Sequence, residues 1–234
     1  MTFNDCGIEL GVDLEKTGVV IPALNAEKTI GAVLDALLKY GFKKENIIVI
    51  DDGSTDQTSE VVAGFGVALL KNEKNLGKGA ALKRGFEKAR LMRLQGVFTL
   101  DADGQHRVEE INNFLELCNG YDLIIGMRRD VLKMPSLRRL VNRITSLVIS
   151  VLSQKSIPDV QCGFRYINLR IFEKVFLKTN NYQTESEMVF KAIKNDYHIG
   201  FIPITTVYNN ESSYIHPVID TIRFIKMAVG LLWH

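Results

Sequence analysis

Gly96-Val97-Phe98-Thr99-Leu100-Asp101-Ala102-Asp103-Gly104 is an apolar run that stops at two aspartates one residue apart. Residues 97 to 100 read as a strand buried on both faces, since the run offers no polar alternation for a solvent side. Two carboxylates then leave the sheet together. Such a pair repels itself unless a cation lies between or beside it. Hard divalent ions such as Mg²⁺ take one or two carboxylates together with phosphate oxygens and water, which suits this spacing. Acids at a strand end also serve as ordinary loop and helix caps, so the pair alone selects neither reading.

The pattern repeats upstream. Gly18-Val19-Val20-Ile21, closed by Pro22, predicts a strand, and residues 26–40 set Ile30, Val33, Leu34, Leu37 and Leu38 at helical spacing. Residues 47–50 predict a second strand, running into the polar loop Asp51-Asp52-Gly53-Ser54-Thr55, with a helix over 58–65 capped by Asp56. Residues 67–70 predict a third strand, followed by a loop with Gly77 and Gly79 and a helix over 80–94. Downstream, helices are expected at 109–117, 137–152, 185–195 and 218–232, strands at 122–126, 165–168 and 200–206, and a turn at 158–163. Strands alternating with helices imply right-handed βαβ units and an α/β fold: a mostly parallel sheet flanked by helices. The ligand crevice of such a sheet lies beyond the carboxyl ends of its strands.

Composition bounds the rest. A chain of 234 residues, 46% hydrophobic and 24% charged, suits one domain spanning 1–234. A net charge of +2 argues neither for nucleic acid nor for an acidic partner, and no nucleic-acid partner is expected. Three scattered cysteines form neither a disulfide framework nor a CxxC metal site, which points to a reducing cytoplasm. The first residues lack the apolar core of a signal peptide, and the apolar stretches at 147–152 and 227–233 fall well short of the ~18 residues of a membrane span. An enzyme that is not integral, but can lie on a membrane, is expected.

Three further constellations face the predicted crevice. Asp52 can accept hydrogen bonds from a ribose or base. Lys78, in Asn75-Leu76-Gly77-Lys78-Gly79, stands at a helix start where it can neutralise a diphosphate, although the spacing is not that of a P-loop. Arg128 and Arg129 end a strand, and Arg138, Arg139 and Arg143 lie on the next helix; arginine forks recognise phosphate bidentately. Arg138 reads equally well as part of a solvated basic face.

Four motifs in order, Val20-Ile21-Pro22-Ala23-Leu24-Asn25-Ala26-Glu27, Asp51-Asp52-Gly53-Ser54-Thr55-Asp56, Asn75-Leu76-Gly77-Lys78-Gly79 and Asp101-Ala102-Asp103-Gly104-Gln105-His106, resemble the inverting family 2 glycosyltransferases. The resemblance is closest to the branch of dolichyl-phosphate mannosyltransferases and polyprenyl-phosphate glycosyltransferases, and it runs from about residue 17 to the end. It implies a GT-A fold, with residues 17–126 binding a nucleotide-sugar donor and 127–234 binding the acceptor. It further implies Mg²⁺ or Mn²⁺ on Asp101, Asp103 and Gln105, and nucleoside contacts from Pro22, Asn25, Glu27 and Asp52. Arg128 and Arg143 are the expected phosphate-holding residues. Asp159-Val160-Gln161-Cys162-Gly163-Phe164-Arg165 resembles the family's acceptor-side loop, and an acid of Glu185-Ser186-Glu187 falls near the reaction centre, Glu187 being the catalytic candidate and Glu185 its alternative. His106 reads as a structural hydrogen-bonder. The implied activity is sugar transfer from a UDP- or GDP-sugar to a polyprenyl or dolichyl phosphate, by an enzyme peripheral on the cytoplasmic face of a membrane. A transferase acting on a diffusible or polysaccharide acceptor, and a nucleotide-sugar-binding module without catalysis, are the alternatives.

Overall fold

The computed structural model describes residues 13–129, 134–207 and 217–232. Its first strands, β1 (Thr17–Ala23) and β2 (Ile47–Asp51), are almost wholly buried because their β-branched residues are covered on both faces of the sheet. Between them α1 (Ile30–Tyr40) buries Ile30, Val33, Leu34 and Leu37, the expected helical stripe. Next come α2 (Thr58–Phe65), the half-buried β3 (Ala68–Lys71), α3 (Lys78–Leu91) and β4 (Gly96–Thr99). The predicted helix over 109–117 is shorter than expected: a 3-10 turn, Val108–Glu110, leads into α4, Ile111–Leu115. Then follow β5 (Leu123–Arg128), α5 (Ser136–Ser153), β6 (Arg165–Asn168), an unpredicted 3-10 segment Leu169–Glu173, α6 (Gln183–Lys194), β7 (Ile199–Ile204) and α7 (Pro217–Leu232).

The seven strands form one mixed sheet in the order β3-β2-β1-β4-β6-β5-β7. All pairings are parallel except those of β6, which runs antiparallel to β4 and to β5, with Arg165 opposite Thr99 on one side and Ile125 on the other. That single reversal organises the site. Because β6 is inverted between two strands of common direction, its start at Arg165 lies on the same edge as the ends of β4 and β5. The loop 159–164, the Asp101 turn and Arg128 therefore share one rim.

The aromatic core reaches that rim. Phe98 meets Phe114 edge-on at 5.9 Å, Phe114 stacks on Phe164 at 4.6 Å, and Phe164 meets the His106 ring at 5.4 Å. Such contacts add to the apolar burial and fix the rings' relative orientation. His106 pairs through its backbone with Thr206 in an isolated antiparallel bridge just past β7.

Candidate active site

Asp101 and Asp103 leave β4 in a turn whose Gly104 has φ +69°, and Asp103 Oδ1 accepts from the Gln105 N–H at 3.0 Å. The Asp101 carboxylate lies over Gly163: a Cβ there would sit 2.4 Å from Asp101 Oδ2, so only glycine admits the acid. Gly163 is held in turn by its carbonyl, which accepts from the buried Thr99 hydroxyl at 2.7 Å. His106 Nε2 is 3.9 Å from Asp101 Oδ2. Burial pushes His106 down to about 4, against the pull of Asp101, so the ring is neutral near pH 7.

Lys78 is the first residue of α3, and it reaches Asp101 Oδ1 at 2.7 Å and Glu185 Oε2 at 3.2 Å. Two features deliver it there. Asp52 accepts from the N–H groups of Leu76 and Gly77 at 3.0 and 2.8 Å, which fixes the loop before the helix. At Gly79 a Cβ would stand 1.9 Å from Thr184 Oγ1, so the starts of α3 and α6 pack backbone to side chain with no room between. Burial alone would lower the lysine; the Asp101 and Glu185 carboxylates overcome it and hold the ammonium charged well above the ordinary lysine range. For Asp101, burial works toward neutrality, and Lys78, then His106, outweigh it and keep the acid below the usual carboxylate range.

Beneath Glu185 lies Arg165, the largest wholly buried side chain among the described residues. It donates to the carbonyls of Cys162 at 2.8 Å, Val160 at 2.7 Å and Glu185 at 3.0 Å, and its Nε is 3.7 Å from Glu185 Oε1. One guanidinium thus ties the loop 159–164 to α6. Its burial is sustained because every bond is charge-assisted.

Two cavities meet at these residues. The smaller, about 540 Å³, is polar and is lined on one side by Pro22, Asn25 and Asp52. The larger, about 1300 Å³, runs from Arg128 and Glu185 out between α5 and α7, where Val141, Val148, Phe224 and Ala228 wall it. Lys78, Asp101, Asp103, Gln105, Arg138 and Tyr182 line both.

Four expected site residues stand differently from the sequence reading. Glu27 lines neither cavity; its Oε2 accepts from the Gln57 N–H at 2.9 Å, beside Asp56, at the start of α2. Glu187 is turned away: its carboxylate accepts from the N–H groups of Lys178 and Thr179, the Thr179 hydroxyl at 2.6 Å and Lys191 Nζ at 2.6 Å. Glu185 is the acid of that segment that faces the larger cavity. Arg143 is exposed on α5 and lines neither cavity, because five residues of helix rotate it roughly 140° from Arg138, which lines both. Asp52 lines the smaller cavity, yet both its oxygens are engaged by the Asn72 side chain and the Leu76–Gly77 backbone, so it shapes the pocket through that loop. Asn25 lines the cavity in a left-handed conformation, φ +49°, with Oδ1 accepting from the Thr55 N–H. Arg128 lines the larger cavity and grips Asp159 with two bonds, 2.7 and 2.9 Å. Tyr182 and Asp220, which also line both cavities, carried no sequence signal: each is a single residue at a helix terminus outside any motif.

Asp101, Asp103 and the Gln105 amide make an oxygen donor set that suits a hard divalent cation. Among the described residues no group of three or more His, Cys, Asp or Glu side chains is arranged to hold a metal by itself. A cation here would therefore take oxygens from a bound ligand as well, the usual habit of Mg²⁺ at phosphates.

The sequence model of glycosyl transferase family 2 matches residues 18–176. An uncharacterised protein of Methanocaldococcus jannaschii is 34% identical, covering 86% of this chain and 85% of its own length. The UDP-N-acetylglucosamine–dolichyl-phosphate N-acetylglucosaminyltransferase of Methanococcus voltae is 29% identical over 83% of this chain and 86% of its own. Among solved structures, glucosyl-3-phosphoglycerate synthase from Mycobacterium tuberculosis, in complex with Mn²⁺, UDP and glucosyl-3-phosphoglycerate, superposes with a TM-score of 0.70 at 20% identity, covering 99% of this chain and 85% of that one. At that identity the likeness is one of fold.

Proposed function

The chain belongs to glycosyl transferase family 2, on the branch of dolichyl- and polyprenyl-phosphate glycosyltransferases, and from that premise we propose an inverting transfer of sugar from a UDP- or GDP-sugar to a polyprenyl or dolichyl phosphate. The observation that carries this reading is the meeting of two unlike cavities at one charged wall. The polar cavity suits a nucleoside diphosphate. The larger one begins at charged groups and ends between apolar helix faces, which is the shape of a phosphate with a hydrocarbon tail.

In this reading Asp101, Asp103 and Gln105 hold Mg²⁺ or Mn²⁺, whose chemistry is to take up charge on the leaving nucleoside diphosphate. Pro22 and Asn25 border the nucleoside, and Lys78 stands beside the diphosphate. Arg128, its fork fixed by Asp159, and Arg138 hold the acceptor phosphate, the second in place of the Arg143 first expected. A phosphate oxygen is already anionic near pH 7, so attack on the anomeric carbon needs orientation more than a general base. The sugar ring then occupies the junction, between the acceptor phosphate and the Asp101 turn.

A peripheral position on the cytoplasmic face of a membrane belongs to the same proposal. No described helix is long and apolar enough to cross a bilayer. Most of the large apolar side chains exposed among the described residues nonetheless lie on α5 and α7, beside Arg143 and Lys226, in the manner of helices that rest in a headgroup layer.

The test is a panel of UDP- and GDP-sugars assayed with a polyprenyl phosphate, Mg²⁺ or Mn²⁺ being supplied in turn. Transfer to the lipid phosphate with one donor supports the reading. Transfer only to a soluble sugar or polysaccharide, or donor binding without turnover, would replace it with one of the two alternatives.

A further inference from the structure

Asp101 and Asp103 line both cavities and Glu185 lines the larger, and Lys78 is the cation that bridges Asp101 and Glu185. The Asp101 carboxylate is packed against Gly163, and its Oδ1 is engaged by Lys78 at 2.7 Å. Any cation that is to share that oxygen has to deal with the ammonium already there. A second positive charge beside Lys78 is repelled unless an anion arrives with it, and the smaller cavity leads to this spot.

We propose that Lys78 is a positioning residue that serves as an internal stand-in for the divalent ion. It keeps Asp101 and Glu185 in register when no donor is bound, and admits the metal only together with a nucleoside diphosphate. On donor binding the ammonium would give up Asp101, keep the Glu185 partner that it has at 3.2 Å and turn its charge to the diphosphate, leaving Asp101 to hold the metal. No proton moves and no bond is made or broken, because the exchange is one of counter-ions. The packing supports a short movement of this kind. Lys78 Nζ lies 6.0 Å from the Tyr182 ring centroid, so an aromatic face is within reach of the ammonium, and both residues line both cavities. The backbone of Lys78 is pinned by Asp52 before it and by the Gly79–Thr184 contact after it, so an exchange of partners would fall to the side chain alone.

The inference rests on the nucleotide-sugar reading, and the experiment separates the two. Mn²⁺ binding is followed by the loss of the free-ion electron paramagnetic resonance signal, for the wild type and for Lys78→Met, with and without UDP or GDP. Wild type is expected to bind Mn²⁺ weakly alone and much more tightly with the nucleotide. Lys78→Met is expected to bind Mn²⁺ alone about tenfold more tightly than wild type, and metal-free nucleotide about tenfold more weakly, the sign expected when a like charge is removed from one ligand and an opposite charge from the other. Removing a lysine that only held the fold would weaken metal binding or leave it unchanged, not strengthen it. If Lys78→Met binds Mn²⁺ no better than wild type while wild type binds the Mn²⁺–nucleotide pair, the stand-in role is overturned. If wild type binds neither nucleotide in the presence of Mn²⁺, the donor-site reading falls and takes this inference with it. Should the methionine variant fail to fold, Lys78→Gln gives the same comparison with a neutral polar chain.

Discussion

Glu185 and Glu187 are two residues apart on α6 and have opposite surroundings, a difference of face that two steps of helix enforce. Both are nearly inaccessible, yet Glu185 borders the larger cavity and Glu187 closes the turn at 178–179. Glu185→Gln is therefore expected to reduce transfer by about 100-fold, since it removes one anchor of Lys78 at the reacting centre, with little change in melting temperature. Glu187→Gln should do the reverse, costing roughly 1–3 kcal/mol of stability through lost charge-assisted bonds while kcat stays within a few-fold. The acid limb of a pH–stability curve adds a check. Burial raises Glu187, but Lys191, Thr179 and the backbone of Lys178 outweigh it and hold the acid below its ordinary value. Its contribution is thus fully present above the unfolded pKa of about 4.3 and is lost as pH falls through the lower folded value; the glutamine variant should lose less stability there than wild type. Asp103→Asn tests the other side of the site: it should abolish transfer from any donor and weaken Mn²⁺–nucleotide binding, and near-normal turnover would remove Asp103 from its assigned role.

At the scale of elements, the alternation of apolar runs with helical stripes was enough to find every strand among the described residues, most clearly where burial on both faces leaves a continuous β-branched signature, as in residues 47–50. Direction was not legible in the same way. The tetrapeptide of β6 has the same kind of pattern whether its neighbours run parallel or antiparallel, and its pairing partners are distant in sequence. Side choice on helices was also hidden: Arg138 and Arg143 are equally basic, and only the packing of α5 decides which one borders the cavities. Motifs fared better where one backbone requirement dominates, as at Gly163. Gly163→Ala places a methyl within 2.4 Å of Asp101 Oδ2, so the carboxylate or the loop must shift. A displacement near 1 Å at a reacting centre costs roughly 100-fold, so kcat/KM should fall by about that factor, more than the melting temperature suggests. Wild-type kcat/KM in that variant would show that Asp101 tolerates displacement.

For the molecule as a whole, the sheet puts the charged wall at one edge, and the two helices that flank the larger cavity carry exposed apolar side chains, of which Leu137, Ile144, Ile225 and Val229 also line the cavity. On α5, Leu137, Leu140, Ile144, Leu147 and Val151 follow the three-four spacing of a single stripe and are all half exposed or more. On α7, Ile219, Ile222, Ile225 and Val229 form a second stripe, and the helices contact each other. A water-facing arrangement would leave all nine in solvent, whereas burying the exposed half of a Leu or Ile is worth about 1 kcal/mol each. Sedimentation with vesicles containing anionic lipid should therefore recover the wild-type protein, less of it at high salt as screening weakens the contribution of Arg143 and Lys226. The double variant Leu140→Asp, Leu147→Asp changes two residues of the stripe that do not line the cavity, and it is expected to abolish sedimentation. It should also slow transfer to a long-chain polyprenyl phosphate held in vesicles by about 10-fold or more, because the effective concentration of acceptor at the surface is lost. Transfer to a short, water-soluble prenyl phosphate should be unchanged, since the cavity walls and the Asp101 turn are untouched. Equal loss on both acceptors would mean that the stripe supports the fold of the site, and unchanged sedimentation would mean that the apolar faces meet something other than a membrane.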